Sequence, residues 1–253
     1  MNTCLHFPQT WSETTAILQQ DLKLDIRCLA GDAIRLVDLM DESICRQVLQ
    51  DFAARIHAKN MTCASSLFIK YWATIWILPF LYCHAASLPF IGWSSAVLAV
   101  NLPVSWHWDR TLQLVEPTLS SLQIMSLHDI ENMLGQFNPL FQQLARVGHV
   151  PYALLWENAA VRVVQFYQSQ ARQDLSKANR SRLQQQIVLL KAKSGESFNL
   201  AENPFISLWN NWCPNNEIYM RKKCCFYFQL EEAGQTLCRN CPLQLKEMKE
   251  SKS

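Results

Sequence analysis

Four of the ten cysteines lie within eighteen positions of the sequence. Cys224 and Cys225 are adjacent, and Cys238 and Cys241 follow after twelve residues as a Cys-x-x-Cys unit. Such a unit can place two sulfurs on one metal, because the turn between them brings both side chains to the same side. Four thiolates satisfy either one tetrahedral zinc ion or the two irons of a 2Fe-2S cluster, two per iron. The sequence therefore predicts a metal centre held by these four cysteines, with no catalytic residue beyond it.

The adjacent pair favours the iron-sulfur interpretation. Neighbouring side chains on an extended strand point to opposite faces, so joint ligation by Cys224 and Cys225 requires the chain to leave a strand there. Zinc sites typically carry two to four residues between the cysteines at both ends, which this pair does not. A zinc knuckle that only folds this segment stays open as the alternative. A redox disulfide between Cys238 and Cys241 ranks third, because a thioredoxin-like βαβ context is absent.

Composition limits the other classes of function. The 253 residues are 49% hydrophobic and 17% charged with a net charge of +2, which gives no electrostatic footprint for nucleic acid. No basic region followed by an apolar stretch begins the chain, so we expect a cytoplasmic protein with reduced thiols. The six glycines form no nucleotide-binding motif, which predicts no nicotinamide or flavin site within the chain.

Periodicity predicts a helix-rich α+β fold. Apolar residues spaced by three or four indicate helices over 31–58 and 62–78, with Pro79 ending or kinking the second. Further helices are expected from a capping box at Ser126 and Asp129, from near Pro151, and over 178–193. Alternation at Val104, Trp106 and Trp108 predicts a small antiparallel sheet within 96–115. We therefore expect a helical body over 1–200 and a cysteine-rich segment over 201–253.

One stretch, Tyr71 to Phe90, is apolar enough to raise the question of a membrane span. The sequence has no second stretch of this kind, and the stretch itself contains Pro79 and Pro89. We interpret it as a buried core helix. Peripheral contact with the inner membrane stays open.

The segment from Arg221 to Leu243 resembles the cluster-binding motif of the FhuF family of ferric-siderophore reductases, which has two adjacent cysteines, a spacer and a Cys-x-x-Cys unit. Ser66 to Ala85 resembles the family's Trp-rich apolar helix with its internal proline, and Leu155 to Asn158 resembles a Trp- and Asn-containing segment. The likeness covers roughly residues 40 to 243. The twelve-residue spacer is longer than the family's, and we expect the turn over Glu231 to Gln235 to absorb the difference.

This resemblance implies an oxidoreductase of iron acquisition. A 2Fe-2S cluster on Cys224, Cys225, Cys238 and Cys241 would pass one electron to the ferric iron of an imported siderophore, of the hydroxamate type, in the cytoplasm. An external donor, either a protein or a reduced flavin, would supply the electron. The alternatives are a reductase of another ferric chelate and a zinc-stapled module that binds a siderophore or a partner without redox activity.

Four basic residues surround the cysteines in sequence. They could raise the potential of the cluster or guide an anionic chelate or a donor protein, and each could equally be part of a solvated basic edge. These residues are Arg221, Lys222, Lys223 and Arg239.

Overall fold

The computed structural model describes residues 11–29, 33–90, 93–107, 110–115, 123–214, 217–234 and 236–244. Helices dominate these residues, which confirms the predicted helix-rich α+β class. The helices are α1 (Trp11–Leu22), α2 (Glu42–Arg55), α3 (Met61–Trp76), α4 (Leu78–Ala86), α5 (Leu127–Gly148), α6 (Tyr152–Ala171), α7 (Lys177–Ala192) and α8 (Pro204–Trp209). The strands are β1 (Asp25–Leu29), β2 (Pro89–Phe90), β3 (Leu98–Ala99), β4 (Thr111–Val115), β5 (Gln123–Ile124), β6 (Trp212–Cys213) and β7 (Ile218–Tyr219).

Helix α3 is the central helix, as predicted from its apolar sequence. The side chain of Asn60 caps it by accepting a hydrogen bond from the backbone N–H of Cys63, at 2.9 Å. Helices α2, α5 and α6 pack around it, so nearly every residue from Cys63 to Trp76 is buried. The helix ends at Trp76, and Pro79 lies in the first turn of α4, where a proline does not disturb the hydrogen bonds.

Met61–Ala86 is the one helical stretch among the described residues that is long and apolar enough to cross a membrane. Its most apolar window is 83% buried inside the protein. Neighbouring helices therefore cover the apolar surface that a spanning helix would present to lipid, as expected of a core helix.

The predicted helix over 31–58 is wrong in its first part. Residues 31–32 lie outside the described residues, Leu36–Met40 forms a short 3-10 helix, and α2 begins only at Glu42. Asp41 separates the two because its carboxylate accepts hydrogen bonds from the N–H groups of Ser43 and Ile44, at 2.8 and 3.0 Å. The apolar repeat continued across this cap, so the pattern alone did not reveal the break.

The sheet is smaller and more mixed than the alternation predicted. Strands β3 and β4 pair antiparallel as expected, but β1, from outside the predicted range, pairs with β4 in parallel. Val104 and Trp106 lie on bends between the strands, and Trp108 falls outside the described residues. Val104 is 90% exposed while Trp106 is 8% exposed, so the two side chains do not share one face of a strand as the alternation predicted.

The later helices match their predicted positions. Ser126 and Asp129 form the expected capping box of α5, and α6 begins directly after Pro151. The C-terminal segment packs on the same hydrophobic core as the helices through Phe205, Leu208, Cys225 and Leu230. The division of the chain at residue 200 stays a prediction.

Candidate metal centre

Two central helices provide the surface on which the cysteine segment lies. Helices α3 and α6 pack side by side. Ser66 and Lys70 lie one turn apart on α3, and Glu157 and Asn158 are neighbours on α6. All four side chains are buried. Burying a polar group costs free energy unless it has a hydrogen-bond partner, so the partners of these side chains show which part of the chain this surface binds.

Glu157 and Asn158 hold the chain just before the cysteines. One carboxylate oxygen of Glu157 accepts hydrogen bonds from the N–H groups of Lys222 and Lys223, at 2.7 and 3.0 Å. The Arg221 guanidinium is 2% exposed, lies 3.8 Å from the same carboxylate oxygen and donates a hydrogen bond to Asn158. A buried ion pair and two backbone hydrogen bonds therefore fix the entry to the cysteine segment.

Ser66 links the same network to a cysteine backbone. The Asn158 amide donates hydrogen bonds to the carbonyl and the hydroxyl of Ser66, at 2.7 and 3.0 Å. The Ser66 hydroxyl in turn donates to the carbonyl of Cys225, at 3.0 Å. The position of Cys225 is thus set by helix side chains rather than by strand pairing.

The chain leaves the extended conformation before the adjacent cysteines, as their joint ligation requires. Strand β7 ends at Tyr219, and the chain bends at Lys222 and Lys223. Phe226 has a left-handed backbone with φ of 64°, and its N–H donates to the Cys224 sulfur at 3.4 Å. This turn lets the two neighbouring thiols reach one site.

The four thiols meet as two pairs. The sulfurs of Cys225 and Cys238 lie 3.4 Å apart, and those of Cys224 and Cys241 lie 3.9 Å apart. Each member of the adjacent pair therefore meets one member of the Cys-x-x-Cys unit. The expectation that this unit places both of its own sulfurs on one metal is not favoured by these contacts.

The pairs fit thiolates that share a metal two by two. With metal–sulfur bonds of about 2.3 Å, two thiolates on a tetrahedral ion lie about 3.8 Å apart. No group of three or more His, Cys, Asp or Glu side chains that could hold a metal ion is found among the residues that the structure describes. Two thiolates are the number that each iron of a 2Fe-2S cluster takes from its protein.

Lys70 brings a positive charge directly to the sulfurs. Its ammonium group is buried and donates to Cys238 at 2.9 Å and to Cys225 at 3.3 Å. The same group lies 4.6 Å from the centre of the Tyr227 ring. A lysine in the middle of an apolar core helix is thereby explained, because thiolates compensate its charge.

Hydrogen bonds between the thiols, burial and the nearby cations Lys70 and Arg221 shift the pKa values of the cysteines. The hydrogen bond from Cys238, together with the nearby charges of Arg221 and Lys70, holds the pKa of the Cys225 thiol well below its ordinary value. The same hydrogen bond raises the pKa of Cys238. Burial raises the pKa of Cys224 to about 12. One thiolate is thus already favoured without metal, whereas Cys224 and Cys238 would need a metal to lose their protons.

The four basic residues singled out in the sequence have different environments. Arg221 is buried in the ion pair with Glu157, whereas Lys222 is exposed and lies 3.5 Å from Glu202. Lys223 is exposed, and Arg239 lines a cleft beside Cys238. The solvated-edge interpretation therefore fails for Arg221.

Sequence reasoning missed the residues of α3 and α6 that contact the cysteine segment. Lys70 directly precedes the apolar stretch from Tyr71 to Phe90, and Glu157 and Asn158 belong to the segment that carries a resemblance, but neither observation predicted contact with the cysteines. A charged residue inside an otherwise apolar helix was the available signal, because such a charge needs a buried partner. The sulfur of Cys63 also reaches this segment, at 3.5 Å from the Phe226 carbonyl oxygen, and burial raises the pKa of its thiol to about 11.

The arrangement contains parts suited to a cluster: paired thiols, a charge at two of the sulfurs, and a rigid buried support. No protein-family model matches the chain, and no curated protein matches it. The likeness to the FhuF family consequently rests on the residues of this chain and stays a prediction.

Proposed function

We propose that this protein is a cytoplasmic ferric-siderophore reductase with a 2Fe-2S cluster on Cys224, Cys225, Cys238 and Cys241. When bound, the cluster would accept one electron from an external donor, a protein or a reduced flavin, and pass it to ferric iron. The observation that carries the proposal is the pairwise meeting of the four thiols, at 3.4 and 3.9 Å, on a buried support with a lysine at two of the sulfurs.

Reduction alone would release the iron. Hard oxygen ligands hold Fe(III) more tightly than Fe(II), so one electron weakens the complex without breaking a bond in the organic chelator. The chain then needs no acid, base or nucleophile beyond the centre. Its residues would bind the thiolates, exclude water from one side and hold positive charge near the site.

Charge at the site supports this role. Lys70 and Arg221 are buried cations close to the sulfurs, and a cation favours the more negative, reduced state of a redox centre. Cys225 and Cys241 are each 2% exposed, while Cys224 and Cys238 are partly exposed. The site would be closed toward the core and accessible to a substrate on its other side.

A zinc-stapled module is the competing function. It requires four ligands around a single ion, whereas the thiols approach one another two by two. A zinc knuckle also has no need of a buried lysine at its thiolates. These two features are why we prefer the redox function.

A single-turnover reaction tests the proposal. Anaerobically purified protein is reduced with one electron equivalent and separated from the reductant. It is then mixed in parallel reactions with a ferric trihydroxamate and with a ferric catecholate chelate, with a ferrous-specific chelator as the trap. We expect about one trapped Fe(II) per cluster as the visible spectrum of the oxidised centre returns. The same reaction with Cys225→Ser should yield none. Protein that carries zinc, or that reduces neither chelate when it is itself fully reduced, would contradict the proposal.

A further inference from the structure

A cleft of about 420 Å³ opens beside the cysteine centre. Of the four cysteines only Cys238 lines it, so the cleft lies against one side of the centre. Its volume is within the range of small-molecule sites. The residues that line it are Lys70, Thr74, Trp106, Arg110, Arg162, Gln165, Tyr227, Cys238, Arg239 and Asn240.

Positive charge is the property that distinguishes this cleft. Four of its lining residues carry a cationic side chain: Lys70, Arg110, Arg162 and Arg239. No carboxylate lines the cleft among the residues that the structure describes. A concave surface with charges of one sign concentrates the field and attracts ligands of the opposite sign.

Two of the cations are held in place from inside the protein. Arg162 on α6 donates to the carbonyl of Lys70 at 3.1 Å and to the side chain of Gln165 at 3.2 Å. Burial lowers the pKa of Arg162 to about 10, so it stays charged at neutral pH. Arg162 therefore supplies positive charge at the inner side of the cleft, whereas the charge of Lys70 is shared with the sulfurs of Cys225 and Cys238.

Aromatic rings form another part of the wall. The rings of Trp106 and Tyr227 lie 5.8 Å apart at 45° to each other, and Lys70 lies 4.6 Å from the Tyr227 ring. A ligand here would touch both an aromatic surface and cations, with Cys238 within the same cleft. This combination suits a ring-bearing anion.

We propose that the cleft binds ferric chelates of net negative charge, of the catecholate class, rather than the neutral hydroxamate complexes that the family resemblance implies. This inference rests on the proposed function, because a chelate bound here would lie against Cys238 and thus within reach of the electron. Arg110 and Arg239 are exposed at the cleft and would contribute attraction, while Arg162 would contact the anion in the interior.

Redox-inert gallium(III) complexes separate binding from electron transfer. Two tripodal chelators with the same scaffold, one with three catecholate arms and one with three hydroxamate arms, give complexes that differ mainly in charge. Titration calorimetry on the full-length protein as purified should show the anionic complex binding roughly tenfold more tightly than the neutral one. The metal-free catechol ligand, which is uncharged at neutral pH, should bind much more weakly than its gallium complex.

A matched pair of variants identifies the surface responsible. Arg110→Gln with Arg239→Gln removes two charges at the cleft and should weaken binding of the anionic complex roughly tenfold. Lys177→Gln with Arg180→Gln removes two exposed charges on α7, outside the cleft, and should leave it unchanged. Far-ultraviolet circular dichroism verifies that both variants fold.

Several results would overturn the inference. They are equal or tighter binding of the neutral complex, equal binding of the metal-free ligand, no binding of either complex, and an equal effect of the two double variants. Because gallium accepts no electron, these results would leave the proposed reductase activity to its own test. Failure of the single-turnover reaction would likewise leave the calorimetry intact.

Discussion

The cysteine segment has two sides that differ in where their charged side chains lie. On the anchored side, Arg221 is buried against Glu157 and Asn158, and Ser66 holds the Cys225 backbone. On the open side, Arg110 and Arg239 face a cleft with no carboxylate among its described lining residues. The first side satisfies its polar groups internally and so determines position. The second presents charge outward and so is suited to binding.

Lys70 is where the two sides meet. It contacts the sulfurs of Cys225 and Cys238 and also lines the cleft. Its neighbours on α3 are almost all apolar and buried. Lys70 lies more than 150 positions from Cys225 and Cys238 in the sequence and yet contacts their sulfurs. Proximity in sequence to the cysteines is therefore a poor guide to which charges act on the sulfurs.

The largest expected effect separates cluster ligands from other buried cysteines. Cys225→Ser should abolish the visible absorption and the bound iron, because one thiolate of a pair is lost. Cys63→Ser is the matched control, since Cys63 is also buried and lies 3.5 Å from the Phe226 carbonyl. It should keep both signals. Equal loss in the two variants would mean that folding of this region, not ligation, was measured.

The anchored side should be sensitive to one carboxylate. Glu157→Gln leaves Arg221 buried without its counter-charge and should lower the free energy of unfolding by about 3 kcal/mol. Glu202→Gln removes the exposed partner of Lys222 and should cost under about 1 kcal/mol. Urea denaturation measures both. Equal costs would contradict the distinction between a buried anchor and a surface ion pair.

A packing change in the helical body tests whether any loss of stability affects the centre. Gly148→Ala would place a methyl group 1.7 Å from the Ser65 hydroxyl oxygen, so it should cost about 2 kcal/mol through overpacking. Gly135→Ala, in the same helix with open space around it, should stabilise by about 0.5 kcal/mol.

Iron content is the second readout for these glycine variants. Neither should lose iron below the denaturation midpoint. Loss of iron in folded Gly148→Ala would show that the centre depends on the whole body rather than on its anchored side.

The smallest expected effect concerns the potential. Lys70→Met removes a cation at two sulfurs and should lower the midpoint potential by about 59 mV, a tenfold change in the one-electron equilibrium. Lys222→Met, near the cysteines in sequence but exposed, should change it much less. Redox titration of the visible spectrum measures both, with Lys70→Arg as the charge-conserving control. A larger shift in Lys222→Met would reverse the comparison.

Local patterns predicted the parts of the fold that depend on local interactions. The cap at Ser126, the start of α6 after Pro151 and the break at Pro79 each follow from the chemistry of a few neighbouring residues. The parallel pairing of β1 with β4 could not be predicted this way, because its partners are more than 80 positions apart. The cap at Asp41 was hidden because the apolar repeat continues through it.

For the candidate site too, the sequence predicted the features that depend on local spacing but not those that depend on how distant residues meet. Cysteine spacing singled out four thiols, which the fold brings together as two pairs, and that they bind a metal stays a prediction. The adjacent pair required the chain to leave a strand, and strand β7 ends at Tyr219. The pairing of Cys225 with Cys238 depends on how a twelve-residue spacer folds, which no spacing rule gives. Glu231–Ala233 forms a turn within that spacer, followed by Gly234 in a left-handed conformation, while Gln235 falls outside the described residues. That this turn absorbs the extra length stays a prediction.

The content of the centre tests the account most directly. Protein purified without oxygen should be analysed for iron, zinc and acid-labile sulfide, with absorption spectra and the electron paramagnetic resonance of the reduced sample recorded on the same preparation. We expect a red-brown protein with two irons and two sulfides per chain and a paramagnetic signal after one-electron reduction. A colourless protein that binds one zinc ion per chain, even after anaerobic reconstitution with iron and sulfide, would contradict the account.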